Sequence, residues 1–282
     1  MGPHLTPLST PLTLTSTTDV RTWLTTLEQQ LLAARDRRGV FVTAYLTITK
    51  AVESQCDTGG FHDPVWVRQY LVAFGSLYRD ALEQDLRARS AGSAGATGRI
   101  PKSWRVAFDA ACAGRGWVIQ HLMLGVNAHI NHDLALALLM AGIERNRAMR
   151  YADHTAVNEV LERSTFALKT EVATKWAPVL ERLDHAAGTL DDDVTVFSIS
   201  KARDHAWAMA VAIDATRGTP GEALLRAALD EQAAVLARLI LVPPPETPVI
   251  ARSRRMLERL DQVARVAERV ATFPRRDGAS AR

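Results

Sequence analysis

Cysteine is nearly missing from this chain: 282 residues hold two, Cys56 and Cys112. That is too few for a disulfide framework, and the pair lacks the close spacing of a zinc site, so both read as small core thiols. Glycine and proline are sparse, 16 and 12, and gather in a few stretches. The long segments between them exclude an all-β sandwich with closely spaced turns and favour helices. Long apolar runs are absent too. The longest, Leu134 to Ile143, is ten residues, where a membrane span takes about 20. The N-terminal MGPHLTPLSTPLTLTSTTDV has neither a basic leader nor a continuous apolar core, so it reads as a tail rather than a signal peptide. A cytoplasmic protein without a membrane span is expected.

Charge of one sign is also lacking. Lys and Arg number 34 against 31 Asp and Glu, for a formal net charge of +3. The arginines are interleaved with acids at helical spacing rather than massed in a patch, so no nucleic-acid partner is expected. At 47% hydrophobic and 23% charged, the composition is that of a globular chain with a real core. Motifs are conspicuous by omission: no Gly-rich phosphate loop, no Gly-x-Ser-x-Gly elbow, no Cys-x-x-Cys pair and no His-Glu-x-x-His helix. Kinase, Rossmann oxidoreductase, serine hydrolase and zinc-finger chemistry fall away with them. An Asp-Asp-x-x-Asp run is missing from the first half, which weakens a comparison with the usual helical terpene synthases.

What is present is helical periodicity. Thr18 or Asp19 is placed to cap a first helix, with Trp23, Leu24, Leu27, Leu31 and Leu32 on one side and Gly39 at its end. The β-branched segment from Val40 reads as a buried helix by its length. Asp63 and Pro64 open a long helix to about Arg89, and SAGSAGATGRIP follows as a loop. Two helices broken near Gly114 and Gly116 lie between Pro101 and Ile143. Further helices run from Asp153 to Ala187, from Val194 to Thr216 behind the acidic cap Asp191 to Asp193, and through EALLRAALDEQAAVLARLIL to Pro243. A charged helix from Ser253 to Ala271 closes the chain and is open to docking on the core or to pairing two copies as a homodimer. The expected fold is all-α: a flexible tail over 1–18, a single-domain multi-helix bundle over 19–273 around a buried central helix, and a basic tail over 274–282.

That central helix, WVIQHLMLGVNAHINHDLALALLMAGI, is the most apolar of all and still holds His121, Asn127, His129, Asn131, His132 and Asp133. Polar groups on a buried helix are costly unless paired. At 100° per residue His129 and Asp133 share one face, and Asn127 and Asn131 share nearly the opposite one. A His and an Asp four residues apart either converge on a metal ion or hydrogen-bond each other, the acid orienting the ring. His132, three residues from His129, is placed to join it, and further metal ligands from other helices are offered by His62, Asp63, Asp153 and His154, and by His205 beside Asp204. Asn127 and Asn158 suit substrate positioning; Arg203 suits an anion, or a buried pair with Asp153 or Asp63; Trp207 suits an apolar wall.

The string LGVNAHINHDL (Leu124 to Leu134), with Phe61, Asp63 and Pro64 before it and Asp153, Asn158, Arg203 and Trp207 after it, resembles a bacterial domain of unknown function common in actinobacteria, over roughly residues 30 to 245. That resemblance implies the helical fold and the choice of positions rather than a chemistry. A weaker similarity is to the all-helical zinc-dependent phospholipase C and S1/P1 nuclease group, whose central helix carries a His-x-x-x-Asp pair among its zinc ligands; His129 and Asp133 match the spacing. The chain departs from that group in lacking an N-terminal Trp, the Gln-Pro-Leu-His string and a secretion signal, which leaves room for a mono- or dinuclear site.

The expected function is then a metal-dependent enzyme hydrolysing a phosphoester or diphosphate of a small-molecule substrate. His129, Asp133 and Asp63 are its catalytic residues, and the cofactor is a divalent metal, zinc first and magnesium or manganese second. Two alternatives stay open: a lyase or cyclase acting on an apolar substrate in a helical cavity, and a non-catalytic binding or scaffold protein in which the same residues form a satisfied buried network. Geometry separates the three. Ligands converging on an open pocket mark the hydrolase, a closed apolar pocket with acids at its mouth marks the cyclase, and a filled network without a cavity marks the scaffold.

Overall fold

In the computed structural model, residues 13–90, 100–176 and 190–242 are described, with backbone alone for 190–198. The SAGSAGATG stretch, the side chains of Asp191 to Asp193, Pro243 to Pro245 and the closing charged helix lie outside the described residues. Helices α1 (Thr17–Ala33), α2 (Gly39–Asp57), α3 (Pro64–Ser90), α4 (Lys102–Cys112), α5 (Val118–Ala128), α6 (Leu134–Ala141), α7 (Arg147–Trp176), α8 (Leu190–Ala215) and α9 (Pro220–Ile240) follow in order, and a π-helical turn, His129–Asp133, joins α5 to α6. No strand is present among the described residues, so the all-α expectation holds.

Local chemistry moves several boundaries. Ser16, not Thr18 or Asp19, caps α1: its hydroxyl accepts from Asp19 N at 3.1 Å while Asp19 Oδ2 accepts from Ser16 N at 2.9 Å, a reciprocal box that needs the acid three residues inside the helix. Gly39 does not end α1. It opens α2, and a Cβ there would overlap the Trp176 ring of α7, so the glycine permits the close α2–α7 approach. The β-branched segment is helical because Val40, Val42, Thr43, Thr49 and Val52 are all buried, and packing overrides propensity. Helix α7 begins at Arg147 rather than Asp153, after Asn146 turns the chain at φ +49°. Asp153 is thus an interior helical residue and does not cap its own helix.

The central rod is α5, the π turn and α6. Helix α5 packs on α2, α4 and α9, the π turn on α3, α8 and α9, and α6 on α3 and α8. Leu124, Leu134 and Leu138 of the rod are buried with Trp66, Tyr78 and Trp104 of its neighbours, each contributing about 1.5–3 kcal/mol or more of apolar burial. The rod is not one uniform helix. One wider turn takes up an extra residue, as π turns do, and it falls on the five residues His129 to Asp133.

Candidate functional site

Helix α3 organises the polar residues. Trp66, Tyr70, Phe74 and Tyr78 recur every four residues and so form one row along it. Trp66 stacks on Tyr70 with ring centroids 5.6 Å apart, Tyr70 on Phe74 at 5.8 Å, and Phe74 lies flat on His129 at 3.3 Å. Three polar knots sit along this row.

The first knot fixes the start of α3. Asp63 accepts from Trp66 N at 3.0 Å and is the helix N-cap. Asp153, wholly buried on α7, accepts from the backbone N–H groups of His62 and Asp63, both at 2.7 Å, and from His62 Nδ1 at 2.9 Å. Its negative charge thus meets the positive end of a helix that is not its own. Arg150 crosses the Trp66 ring at 5.6 Å, donates to Gly142 O at 2.9 Å and approaches Asp63 at 3.8 Å.

The second knot surrounds Arg203, which is 2% exposed. Its Nε donates to Asn158 Oδ1 at 2.7 Å, one Nη to His154 O at 2.6 Å and the other to Tyr70 OH at 3.5 Å. Among the described residues no carboxylate pairs with it; the alternative of a partner in Asp153 or Asp63 is not realised, because Asp153 is spent on α3. His154 Nε2 lies 3.1 Å from Arg203 O. A carbonyl only accepts, so Nε2 carries the proton and Nδ1 turns its lone pair to the guanidinium. Burial, and next the Arg203 charge, hold His154 well below the usual histidine range. Trp207 packs on His154 at 5.3 Å and on Tyr151 at 5.2 Å, over the protein's own aromatic groups.

The third knot is the His-x-x-x-Asp pair. Asp133 Oδ2 accepts from Trp104 Nε1 at 2.8 Å and from His129 Nδ1 at 3.3 Å, and Oδ1 accepts from His132 Nδ1 at 2.9 Å. Within the wide turn two histidines of the rod, one and four residues before Asp133, reach its carboxylate. Burial pushes the Asp133 carboxyl up, but the histidine hydrogen bonds outweigh it and hold it below the ordinary range. Burial likewise works against a charged His132, yet Asp133 raises it above the usual value, so the carboxylate favours a protonated ring 2.9 Å away. His129 goes the other way: burial dominates and lowers it. With Nδ1–H given to Asp133, its Nε2 is a lone pair without a partner among the described residues. Phe41, Tyr45 and Phe74 enclose the ring.

His129, His132 and Asp133 are thus brought together, whereas His62, Asp63 and Asp153 gather beside Trp66, two helical turns or about 12 Å along α3 from Phe74, and His154 sits with Arg203. Asn127 donates to Ala233 O at 2.8 Å and accepts from Asn131 at 3.0 Å, clamping α9 to the rod. His205 and Asp204 are engaged with Gln232 and Tyr151 at the surface. Among the described residues no three of His, Cys, Asp and Glu are placed to hold a metal ion. The Asp133 oxygens are committed to ring N–H donors, and His129 Nε2 is a single ligand. Trp104 and the α3 aromatic row were missed in the sequence reading; the four-residue spacing of Trp66, Tyr70, Phe74 and Tyr78 was the available signal.

Fold and site together define an all-α protein whose central rod is keyed to its neighbours by buried polar knots. The chain belongs to the family of unknown function DUF5995, which it matches over residues 17–243. No curated protein and no solved structure matches it, and nothing supports a phospholipase C or nuclease likeness. No described helix is long and apolar enough to cross a membrane.

Proposed function

We propose that this chain is a non-catalytic helical binding or scaffold protein, in which the polar residues of the rod fix helix register. The observation that carries the reading is the engagement of Asp133: three ring N–H donors from two elements occupy both of its oxygens inside the core. A metal-dependent hydrolase would need that carboxylate turned to an ion, zinc before magnesium or manganese, with further ligands beside it, and the donor set does not fit. A cyclase would need an apolar cavity that encloses its substrate; the slot lined by Trp104 has about 20 Å³, too little for a ring or an isoprenoid chain. The Gly125 to Leu134 string as a family signature, an actinobacterial origin, a cytoplasmic location and a small-molecule partner belong to the same reading.

One observation favours a second reading. An unpartnered Nε2 on a ring oriented by a carboxylate is the arrangement of a general base, so His129 would act on a substrate admitted by movement of Phe41 or Tyr45. Elemental analysis of the purified protein, with His129→Ala and Asp133→Ala variants and circular dichroism as a folding control, tests all of this. The scaffold reading expects no stoichiometric metal and a large stability loss in Asp133→Ala. Bound zinc, manganese or iron that disappears in folded variants overturns it.

A further inference from the structure

A narrow slot opens between the start of α2, α4 and α5. Phe41, Tyr78, Trp104 and Phe108 form its walls, and Arg37 and His121 stand with them. Tyr78 and His121 are 1% and 5% exposed, and neither the Tyr78 hydroxyl nor His121 Nε2 has a partner among the described residues. Two buried polar groups left unpaired beside one opening carry a desolvation cost that a ligand entering the slot would relieve. The neighbouring Arg38 is neutralised by Asp36 at 2.6 Å and Asp85 at 3.3 Å. Arg37 has no such ion pair among the described residues, and its charge acts on His121, with Asp36 opposing; at Tyr78 the Arg38 cation is likewise opposed by Asp36 and Asp85.

We propose that this slot binds a small monocarboxylate, head group first. The volume of about 20 Å³ suits one planar polar group rather than a ring. The Tyr78 O–H donates to one carboxylate oxygen, His121 Nε2–H to the other, and Arg37 balances the charge at the rim. The aromatic walls exclude water, which strengthens each hydrogen bond. Gly125 keeps the slot in shape: a Cβ there would overlap the Phe41 ring and drive it inward. The proposal rests on the binding half of the reading above and gives that binding a chemical class.

The test is a titration of the full chain with acetate, followed by tryptophan emission, since Trp104 lines the slot. Acetamide and sodium chloride at matched ionic strength serve as controls. Saturable quenching by acetate is expected, with acetamide and chloride inert. Tyr78→Phe and Arg37→Gln, which both retain the packing, should each weaken it about tenfold or more, the worth of one charge-assisted hydrogen bond. No saturable response to acetate up to tens of millimolar, an equal response to chloride or acetamide, or unchanged affinity in both variants overturns the proposal. The register reading is judged separately, by the unfolding of Asp133 variants, so either can fail while the other stands.

Discussion

Trp104 on α4 and Asp133 in the π turn are joined by an indole N–H to carboxylate hydrogen bond of 2.8 Å, buried at both ends. It ties the rod to a helix that contributes no other polar group to the knot. Asp133→Ala leaves three N–H donors without an acceptor, and Asp133→Asn removes the charge and turns an NH2 donor on a ring N–H, so each should cost about 3–5 kcal/mol of stability. Trp104→Phe removes one donor from an oxygen that keeps another, and should cost about 1–3 kcal/mol, packing loss included. Urea unfolding midpoints give both. An Asp133→Asn protein as stable as the parent would remove the basis for the register reading.

His129 allows packing to be separated from hydrogen bonding. Its ring lies on Phe74 at 3.3 Å and within 4.4 Å of the Tyr45 centroid. Replacement by Phe keeps the stack, removes a buried nitrogen that has no partner, and loses one hydrogen bond to Asp133. His129→Phe should therefore lose no more than about 1–2 kcal/mol, while His129→Ala, which opens a cavity among five aromatic groups, should lose about 3–5 kcal/mol. Equal losses in the two variants would mean that the imidazole N–H, not the ring, holds the core.

Much of this is legible in the sequence itself. The helical period of the long segments, the Asp63–Pro64 start and the polar density of the central string all follow from sequence spacing. What escaped has identifiable causes. The rule of 100° per residue put His129 and Asp133 on one face, with His132 three residues from His129 placed to join it, but it has no place for the π turn that these five residues form. Asp153 looks like a cap for its own helix, because which other helix it caps is set by how α7 lies across α3. Gly39 reads as a stop signal, since a close approach to Trp176, 137 positions away, leaves no local trace.

Acidification should loosen the fold through its buried histidines. His121 is held down at about 4, chiefly by burial and then by Arg37, with Asp36 opposing; His129 and His154 are lowered too. Each stays neutral in the folded state where the unfolded chain already takes up a proton, so stability falls as pH drops below about 6.5. Asp133 acts in the same direction further down, losing its contribution as pH falls through its depressed folded value. His132, raised by Asp133, opposes them: its contribution is complete below the unfolded value and is lost as pH rises through the folded one. Stability should peak near neutrality, and His121→Leu should flatten the limb between about 6.5 and about 4. Unfolding midpoints across that range check the slope; an unaltered limb in the variant counts against a neutral buried His121.

Gly125 gives a packing prediction with a built-in control. The Phe41 ring lies against α5 where a side chain at 125 would stand. Gly125→Ala should cost about 1–3 kcal/mol through overpacking, offset in part by the general gain of Ala over Gly in a helix, about 1 kcal/mol. Pairing it with Phe41→Leu should recover part of the loss, giving a coupling energy of about 0.5 kcal/mol or more in a double-mutant cycle. Strict additivity would place the two residues out of contact.

Arg203 gives the most distinctive prediction, because its removal has a spectroscopic signature. The guanidinium holds Asn158, the His154 carbonyl and Tyr70 at once, while its charge helps to keep His154 neutral. Arg203→Met retains the apolar stem and deletes the charge; three acceptors lose their donor, and stability should fall by about 2–4 kcal/mol. With the cation gone, only burial still opposes protonation of His154, so its titration should move up toward the ordinary histidine value. Histidine ring signals followed by NMR across acidic pH measure that shift directly, and a folded Arg203→Met protein with His154 unmoved would assign the depression to burial alone. Arg203→Lys separates charge from geometry: a single ammonium cannot reach three acceptors set around a planar fork, so it should keep His154 depressed while losing most of the same stability.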